Sequence, residues 1–270
     1  MKTALVVSGG GSHGAWAVGA IKRLRELGHD WDILTGTSTG ALITPMVAIH
    51  EMSALVDLYT KTVTSDLLRR HWWWTLPWRK SLFDDSGLWR TIDHHLTAER
   101  YDHLLASKKV IEVCTVGLTH GKTSYWAPQP GGRHTFCRAM LASSNQPGFM
   151  PPVLLPDGDY HMDGGIREIA PIQRALDLGA KEVWALVLAP EAPTQKIHKW
   201  NRMLPVMGRA LDLIFTETRN NDVASASKEG AVVHVIRPTR PIPGDGLEFD
   251  PPVMTAALQE GYNFVEHTVG

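Results

Sequence analysis

Two periods alternate along the chain. Short apolar or β-branched runs, TALVVS (3–8), DILTG (32–36), VIEVCTVGL (110–118), KEVWALVLAP (181–190) and AVVHVIRP (231–238), read as buried strands. Between them lie stretches with apolar residues at helical spacing. AWAVGAIKRLRELG (15–28) ends on Gly28, a residue suited to the position after a helix. A second helix is predicted from Thr39 to about His50, with Pro45 in its early turns, and the pattern resumes over 51–68. Residues 170–180, 201–230 and 254–267 are also predicted helical. KVIEVCTVGLTHGKTSYWAP (109–128) reads as strand, turn and strand, RAMLASSNQPGFMPPVLL (138–155) as a helix entering a proline-punctuated loop, and DGDYHMDGG (157–165) as a strand edge and turn. Strands alternating with helices predict an α/β protein, a three-layer sandwich whose mostly parallel central sheet is covered on both faces. No internal repeat or long linker appears, so residues 1–270 are expected to form one domain.

One stretch breaks the pattern. HWWWTLPWRKSLFDDSGLW (71–89) carries five of the ten tryptophans and reads as an insertion. Trp72, Trp73 and Trp74 cannot all face one core from a regular element. With Trp78, and with Arg69, Arg70, Arg79 and Lys80 alongside, residues 69–89 are expected to form a cap that meets aggregated lipid; packing on a hydrophobic edge is the plainer alternative.

Composition narrows the classes. Lys plus Arg total 27 against Asp plus Glu 28, a net charge of −1, which argues against a nucleic-acid partner. The 13 histidines are scattered, without H-E-x-x-H or C-x-x-C, so no metal site is expected. Cys114 and Cys137 make no disulfide framework, and Cys114 reads as a buried thiol in a core strand. The apolar stretch Ala4–Val7 is too short for a signal peptide, and no run approaches the roughly 18 residues of a membrane span. The reading is a cytoplasmic protein, with peripheral attachment to membranes and signal-independent export left open.

Three motifs carry the chemistry. In ILTGTSTGALI (33–43), Ser38 stands between Gly36 and Gly40 where a strand turns into a helix. A serine there is either a helix cap or a nucleophile held on a sharp corner. GGGSHG (9–14) follows the first strand and opens a helix. It fits the dinucleotide fingerprint, but Asp30 and Asp32 precede the second strand instead of ending it. The same exposed backbone N–H groups suit an oxyanion. MDGG (162–165) sets Asp163 on a turn; a serine nucleophile needs a base, although D-G turns are common.

Taken together, G-G-G-x-x-G, G-T-S-T-G and D-G-G, with ASSNQPGFMPP (142–152) between the last two, resemble the patatin-like phospholipase family over most of the chain. The resemblance implies a patatin-like fold and a lipid acyl hydrolase with Ser38 as nucleophile and Asp163 as base. It implies an oxyanion hole from Gly9, Gly10 and Gly11 with the N–H of Thr39, and supporting roles for Gly14, Gly36, Gly40, Gly164 and Gly165. No cofactor is implied, and the implied partner is a lipid or membrane-surface substrate. Where the family usually has Arg or Lys this chain has His13, so a preference for strongly anionic lipids is not expected. Two rival readings stand beside this one. One is an α/β-hydrolase with a Ser-His-Asp triad, for which His234 and His267 lie late enough in the chain; its elbow usually follows more strands than two. The other is a non-catalytic lipid- or nucleotide-binding module. His161, two residues from Asp163, reads as a satisfied structural histidine.

Overall fold

The computed structural model describes residues 1–70, 81–192, 203–244 and 246–269. In chain order the elements are β1 (Thr3–Val7), α1 (Gly14–Glu26), β2 (Ile33–Thr37), α2 (Thr39–Ala48), α3 (Met52–Lys61), α4 (Thr64–Leu67), β3 (Arg69–Arg70), β4 (Phe83–Asp84), α5 (Ser86–His95) and α6 (Ala98–Ala106). Then follow β5 (Val110–Gly117), β6 (Thr123–Trp126), α7 (Arg133–Ser144), β7 (Val153–Leu154), β8 (Tyr160–Asp163), α8 (Ile172–Asp177), β9 (Glu182–Leu186), α9 (Met203–Ser225), β10 (Val232–Ile236) and α10 (Pro251–Thr268).

Alternation along the strands builds three layers. On β1, Ala4 and Val6 pack with Ile33, Val183 and Ala185 against Ile172, Ala175 and Leu176 of α8, with Val223 of α9 beside them. Leu5 and Val7 point the other way, with Leu34 and Leu186, into the larger core of α1, α2 and α7. The predicted sandwich is therefore the observed one. The main sheet runs in the order β10-β9-β1-β2-β5-β8-β7, with β6 also on β5. Strands β10, β9, β1, β2 and β5 are parallel, while β6 and β8 run antiparallel to β5.

The register around β5 positions the site. Val113 and Cys114 pair with both β2 and β6, so those strands take opposite edges of β5. Thr115 and Val116 pair with both β6 and β8, so β8 takes the same edge as β2. Strand β2 ends with Thr37 opposite Cys114, and β8, running the other way, ends with Asp163 opposite Thr115. The carboxyl ends of two strands meet head-on along one edge.

Two differences from the sequence reading stand out. Residues 86–106, to which no element is assigned from the pattern, form α5 and α6; the buried signal on α5 is only Leu88 and Ile92, inside a Trp-rich window. The tryptophans Trp72, Trp73, Trp74 and Trp78 lie outside the described residues. Their flanks close as the antiparallel pair β3–β4, and the Phe83 ring stacks near Phe149 with centroids 6.5 Å apart. Cys114 and Cys137 are both buried and unpaired as thiols.

Candidate active site

One residue separates β2 from α2, and it is Ser38. Its φ of 57° and ψ of −124° lie in the left-handed half of conformational space, a strain of about 1–3 kcal/mol for a residue with a side chain. Close packing forces it: a Cβ on Gly40 would come within 2.0 Å of the Val7 carbonyl oxygen. Although Ser38 occupies the N-cap position, its side chain makes no capping bond. Its hydroxyl lies close enough to the Asp163 carboxylate to favour the ionised form of that group. The backbone is pinned as well. The Ser38 N–H donates to Ser143 Oγ at 2.9 Å, Ser143 Oγ donates to the Cys114 carbonyl at 2.6 Å, and Ser144 Oγ donates to the Ser38 carbonyl at 3.4 Å.

Asp163 arrives from the opposite direction on β8. Its N–H donates to the Asn145 carbonyl at 3.1 Å, and the Asn145 amide donates to Pro151 O at 2.9 Å and Asp85 Oδ2 at 2.6 Å. The segment 143–145 therefore holds both Ser38 and Asp163. Asp163 is 1 % exposed. Burial pushes its carboxyl up to about 7, against the lowering pull of the Gly165 N–H bond and of the nearby Ser38 hydroxyl. The Gly165 bond is 2.8 Å long. Gly164 lets the chain dive past β5, since a Cβ there would lie 2.7 Å from Cys114 O.

The glycine loop lies against Ser38, where a Cβ on Gly9 would be 3.0 Å from the Ser38 Cβ. The Gly9 N–H is committed to the Ile169 carbonyl at 3.1 Å. No acceptor among the described residues takes the N–H of Gly10 or Gly11. Gly11 has φ +56°, and a Cβ there would meet Gly246 O at 1.9 Å. Gly246 O also accepts the Ser12 N–H at 2.9 Å, and His13 Nε2 stands 3.3 Å from Gly244 O, so the histidine faces this turn. Thr39 Oγ1 bonds to the buried Tyr59 hydroxyl, and Gly14 leaves room for that pair. The Thr39 N–H opens α2 and has no partner within the helix.

A further contact braces this frame. Asp222 of α9 accepts the N–H groups of Ile169 and Ala170 on one oxygen, at 2.7 and 2.8 Å. Ile169 in turn receives Gly9 on its carbonyl and packs its side chain on Gly9 and Gly165. Burial pushes the Asp222 carboxyl up to about 6, even with those two bonds. Neither Asp222 nor Ser143 is singled out by the sequence reading. The Ser143 segment falls in the resemblance to ASSNQPGFMPP, but its bonds are visible only in three dimensions; Asp222 leaves no local signal.

From Ser38 an apolar cavity extends inward. Leu42, Leu67, Leu88 and Phe249 line both its mouth beside Ser38 and its continuation towards Met46, Leu58 and Ile92. The late histidines lie elsewhere. His234 stacks on Trp184 and bonds to Glu182 at the far edge strand, and His267 is in the last turn of α10. His161 is buried with Nδ1 2.9 Å from Thr115 Oγ1 and Nε2 2.9 Å from Asp157 Oδ2. Among the described residues, no hydrogen bond of Ser38 or Asp163 runs to a histidine.

Comparison with known proteins places this geometry in a family. The solved structure of VipD from Legionella pneumophila covers 98 % of this chain and 66 % of its own, with a TM-score of 0.50 and 13 % identity, a likeness of fold. Patatin-like phospholipase domain-containing protein 7 of Rattus norvegicus is 29 % identical over 187 residues, 68 % of this chain and 13 % of its own length. Patatin-like phospholipase domain-containing protein 6 of Mus musculus is 29 % identical over 199 residues, 71 % of this chain and 14 % of its own. The chain thus spans about a seventh of those relatives. The family profile described as patatin-like phospholipase matches residues 5–176, which hold Ser38, Asp163 and the glycine loop, and the chain belongs to the patatin-like phospholipase family.

Proposed function

We propose that this protein is a lipid acyl hydrolase that cleaves carboxyl esters through an acyl-enzyme on Ser38, with Asp163 as its base. The observation that carries the reading is the strained Ser38 elbow beside the buried Asp163 carboxylate, raised to about 7 and influenced by the Ser38 hydroxyl, next to Gly10 and Gly11 N–H groups that find no acceptor among the described residues. A carboxyl with an ordinary pKa near 4 is a weak base, and one near neutrality is matched to the task.

In the first half-reaction Asp163 takes the Ser38 proton as Oγ attacks the ester carbonyl carbon. Negative charge develops on the carbonyl oxygen and is met by the N–H groups of Gly10, Gly11 and Thr39. Each such donor is worth about 10²–10³ in rate. Collapse expels the alcohol, which leaves with the proton from Asp163. In the second half-reaction water gives a proton to Asp163 and attacks the acyl-Ser38 ester, and the fatty acid departs as Ser38 recovers its proton. Gly9 shapes the hole through its bond to Ile169 and donates nothing to the oxyanion. The apolar cavity beyond Leu42 suits the acyl chain, and the family's phospholipase name makes membrane lipids the substrate class to try first.

The test is a panel of p-nitrophenyl esters and phospholipids, with fluorophosphonate labelling of the same preparations. Ser38→Ala is expected to lose labelling and nearly all turnover. Asp163→Asn is expected to lose nearly all turnover while staying folded, and the double variant to be scarcely worse than either single one. Asp163→Asn retaining more than about a tenth of the original kcat/KM, a loss below about 1.4 kcal/mol, would falsify the assignment of the base.

A further inference from the structure

Helix α9 is built the wrong way round for a helix that only covers a sheet. Its C-terminal half is seated: Asp222 bonds to Ile169 and Ala170, Arg219 is buried, and Asn220 bonds to Glu191 O and to Arg237. Glu191 and Arg237 follow the carboxyl ends of β9 and β10. These parallel strands end on the same side of the sheet as β2, where Ser38 lies. The part of α9 N-terminal to this seated stretch therefore extends past the strand ends on the side of the candidate active site. From Met203 to Ile214 the overhang is about 17 Å long at the helical rise per residue.

That overhang exposes its apolar residues. Met203 is 72 % exposed, Val206 and Ile214 46 %, Leu213 43 % and Met207 36 %. The positions 203, 206, 207, 210, 213 and 214 recur at three and four residues, which places them along one stripe, with the exposed Ala210 between. The stripe borders the mouth of the Ser38 cavity. A Cβ on Gly148 would touch Met207 Cε at 3.3 Å and one on Gly208 would lie 3.8 Å from Phe149, while Gln146 and Met150 of the same loop line the cavity. Charge fits an anionic or zwitterionic surface. From Met203 to Leu211 the helix carries Arg209 and no acidic residue, and the first acid on α9, Asp212, is paired with Arg209 at 2.6 Å.

We propose that the exposed stripe of α9 from Met203 to Ile214 is a lipid-docking face that inserts into the interfacial region of a phospholipid bilayer and sets the Ser38 cavity against it. The choice of a lipid surface rests on the function proposed above; the projection and exposure of the stripe do not. A helix with an apolar stripe and few charges binds a membrane interface in proportion to the apolar area it buries. Insertion also brings an ester to the cavity mouth without first extracting the lipid into water.

The test separates binding from turnover. Ser38→Ala protein is sedimented with phosphatidylcholine vesicles containing a fifth of phosphatidylglycerol, beside the same protein carrying Val206→Glu and Ile214→Glu, both at exposed positions. We expect Ser38→Ala to pellet with vesicles and the triple variant to lose about tenfold or more in partition. On the catalytically intact chain, the two glutamates are expected to leave hydrolysis of soluble p-nitrophenyl butyrate unchanged and to lower hydrolysis of vesicle phospholipid about tenfold. Ser38→Ala protein that stays in the supernatant, or a triple variant that pellets as it does, overturns the docking face. So does a concentration-dependent dimer dissolved by the glutamates with vesicle binding unchanged, which would make the stripe a subunit contact. Failure of the function proposed above has its own signature, namely vesicle binding without turnover of any ester.

Discussion

Asp163 carries a proton that most aspartates have lost by pH 5, and two measurable consequences follow from its value of about 7. If the ionised form is the base, kcat/KM on a soluble ester rises about tenfold per pH unit below pH 7 and levels off above it. A profile that is flat between pH 5 and 8 contradicts that assignment. The second consequence concerns stability. The folded chain holds this proton to a higher pH than the unfolded one, whose aspartate sits near 3.8. Wild-type protein therefore gives up stability as pH rises from about 4 to about 7, and the loss is complete above the folded value. Asp163→Asn lacks this linkage, so its Tm relative to wild type should climb across that window and hold level above it. At this scale the sequence was informative because turn chemistry is local: Ser38 between two glycines and Asp163 before two more are visible as short strings. Ser143 and Asp222 were not visible, since a hydroxyl or carboxylate that bonds across the fold leaves no trace among its neighbours in sequence.

Helix α7 and the chain just beyond it act as the clamp of the site. Ser143 bridges the Ser38 N–H and the Cys114 carbonyl, so Ser143→Ala takes the acceptor from the buried Ser38 N–H and a donor from the Cys114 carbonyl, at a cost of about 1–3 kcal/mol in stability. Because the elbow conformation is strained, kcat should fall more than KM rises; an unchanged kcat in a destabilised protein would make the clamp purely structural. Helix α9 offers a paired comparison. Asp222→Ala strips the acceptor from Ile169 and Ala170 and should lower kcat through the Gly9 loop, whereas Asp222→Asn retains an acceptor oxygen and should recover much of the loss. Equal defects in the two variants would point to charge in place of positioning. Most elements were readable from their period, from β1 to α10. Helices α5 and α6 were not, because their buried positions are few and sit among tryptophans and histidines. The shared edge of β5 was not readable either, since register between distant strands is a long-range property with no local code.

Across the whole molecule the histidines make the clearest contrast between chemistry and architecture. His234 and His267 lie away from Ser38, and replacing either by alanine should leave turnover and labelling intact. His161→Ala should lower Tm, because Thr115 and Asp157 lose a partner, a change worth about 1–3 kcal/mol, while measurable turnover remains. Turnover falling to the level of Ser38→Ala in any of the three, with the protein still folded, would revive the triad. Among the described residues no helix is long and apolar enough to cross a membrane.

The head-on meeting of β2 and β8 also dictates an order of events when the chain folds. Ser38 can reach its strained turn once β1, β2 and α2 have assembled, all of them near neighbours in sequence. Asp163 reaches it only after β8 has paired with the far half of β5, closing a long loop through α7. Long-range pairing of this kind is slow because loop entropy is lost before contacts compensate. On refolding from urea, helical signal should therefore return ahead of fluorophosphonate reactivity, the serine waiting in place for its carboxylate. Simultaneous recovery of both would mean that this edge of β5 closes early, as part of the nucleus.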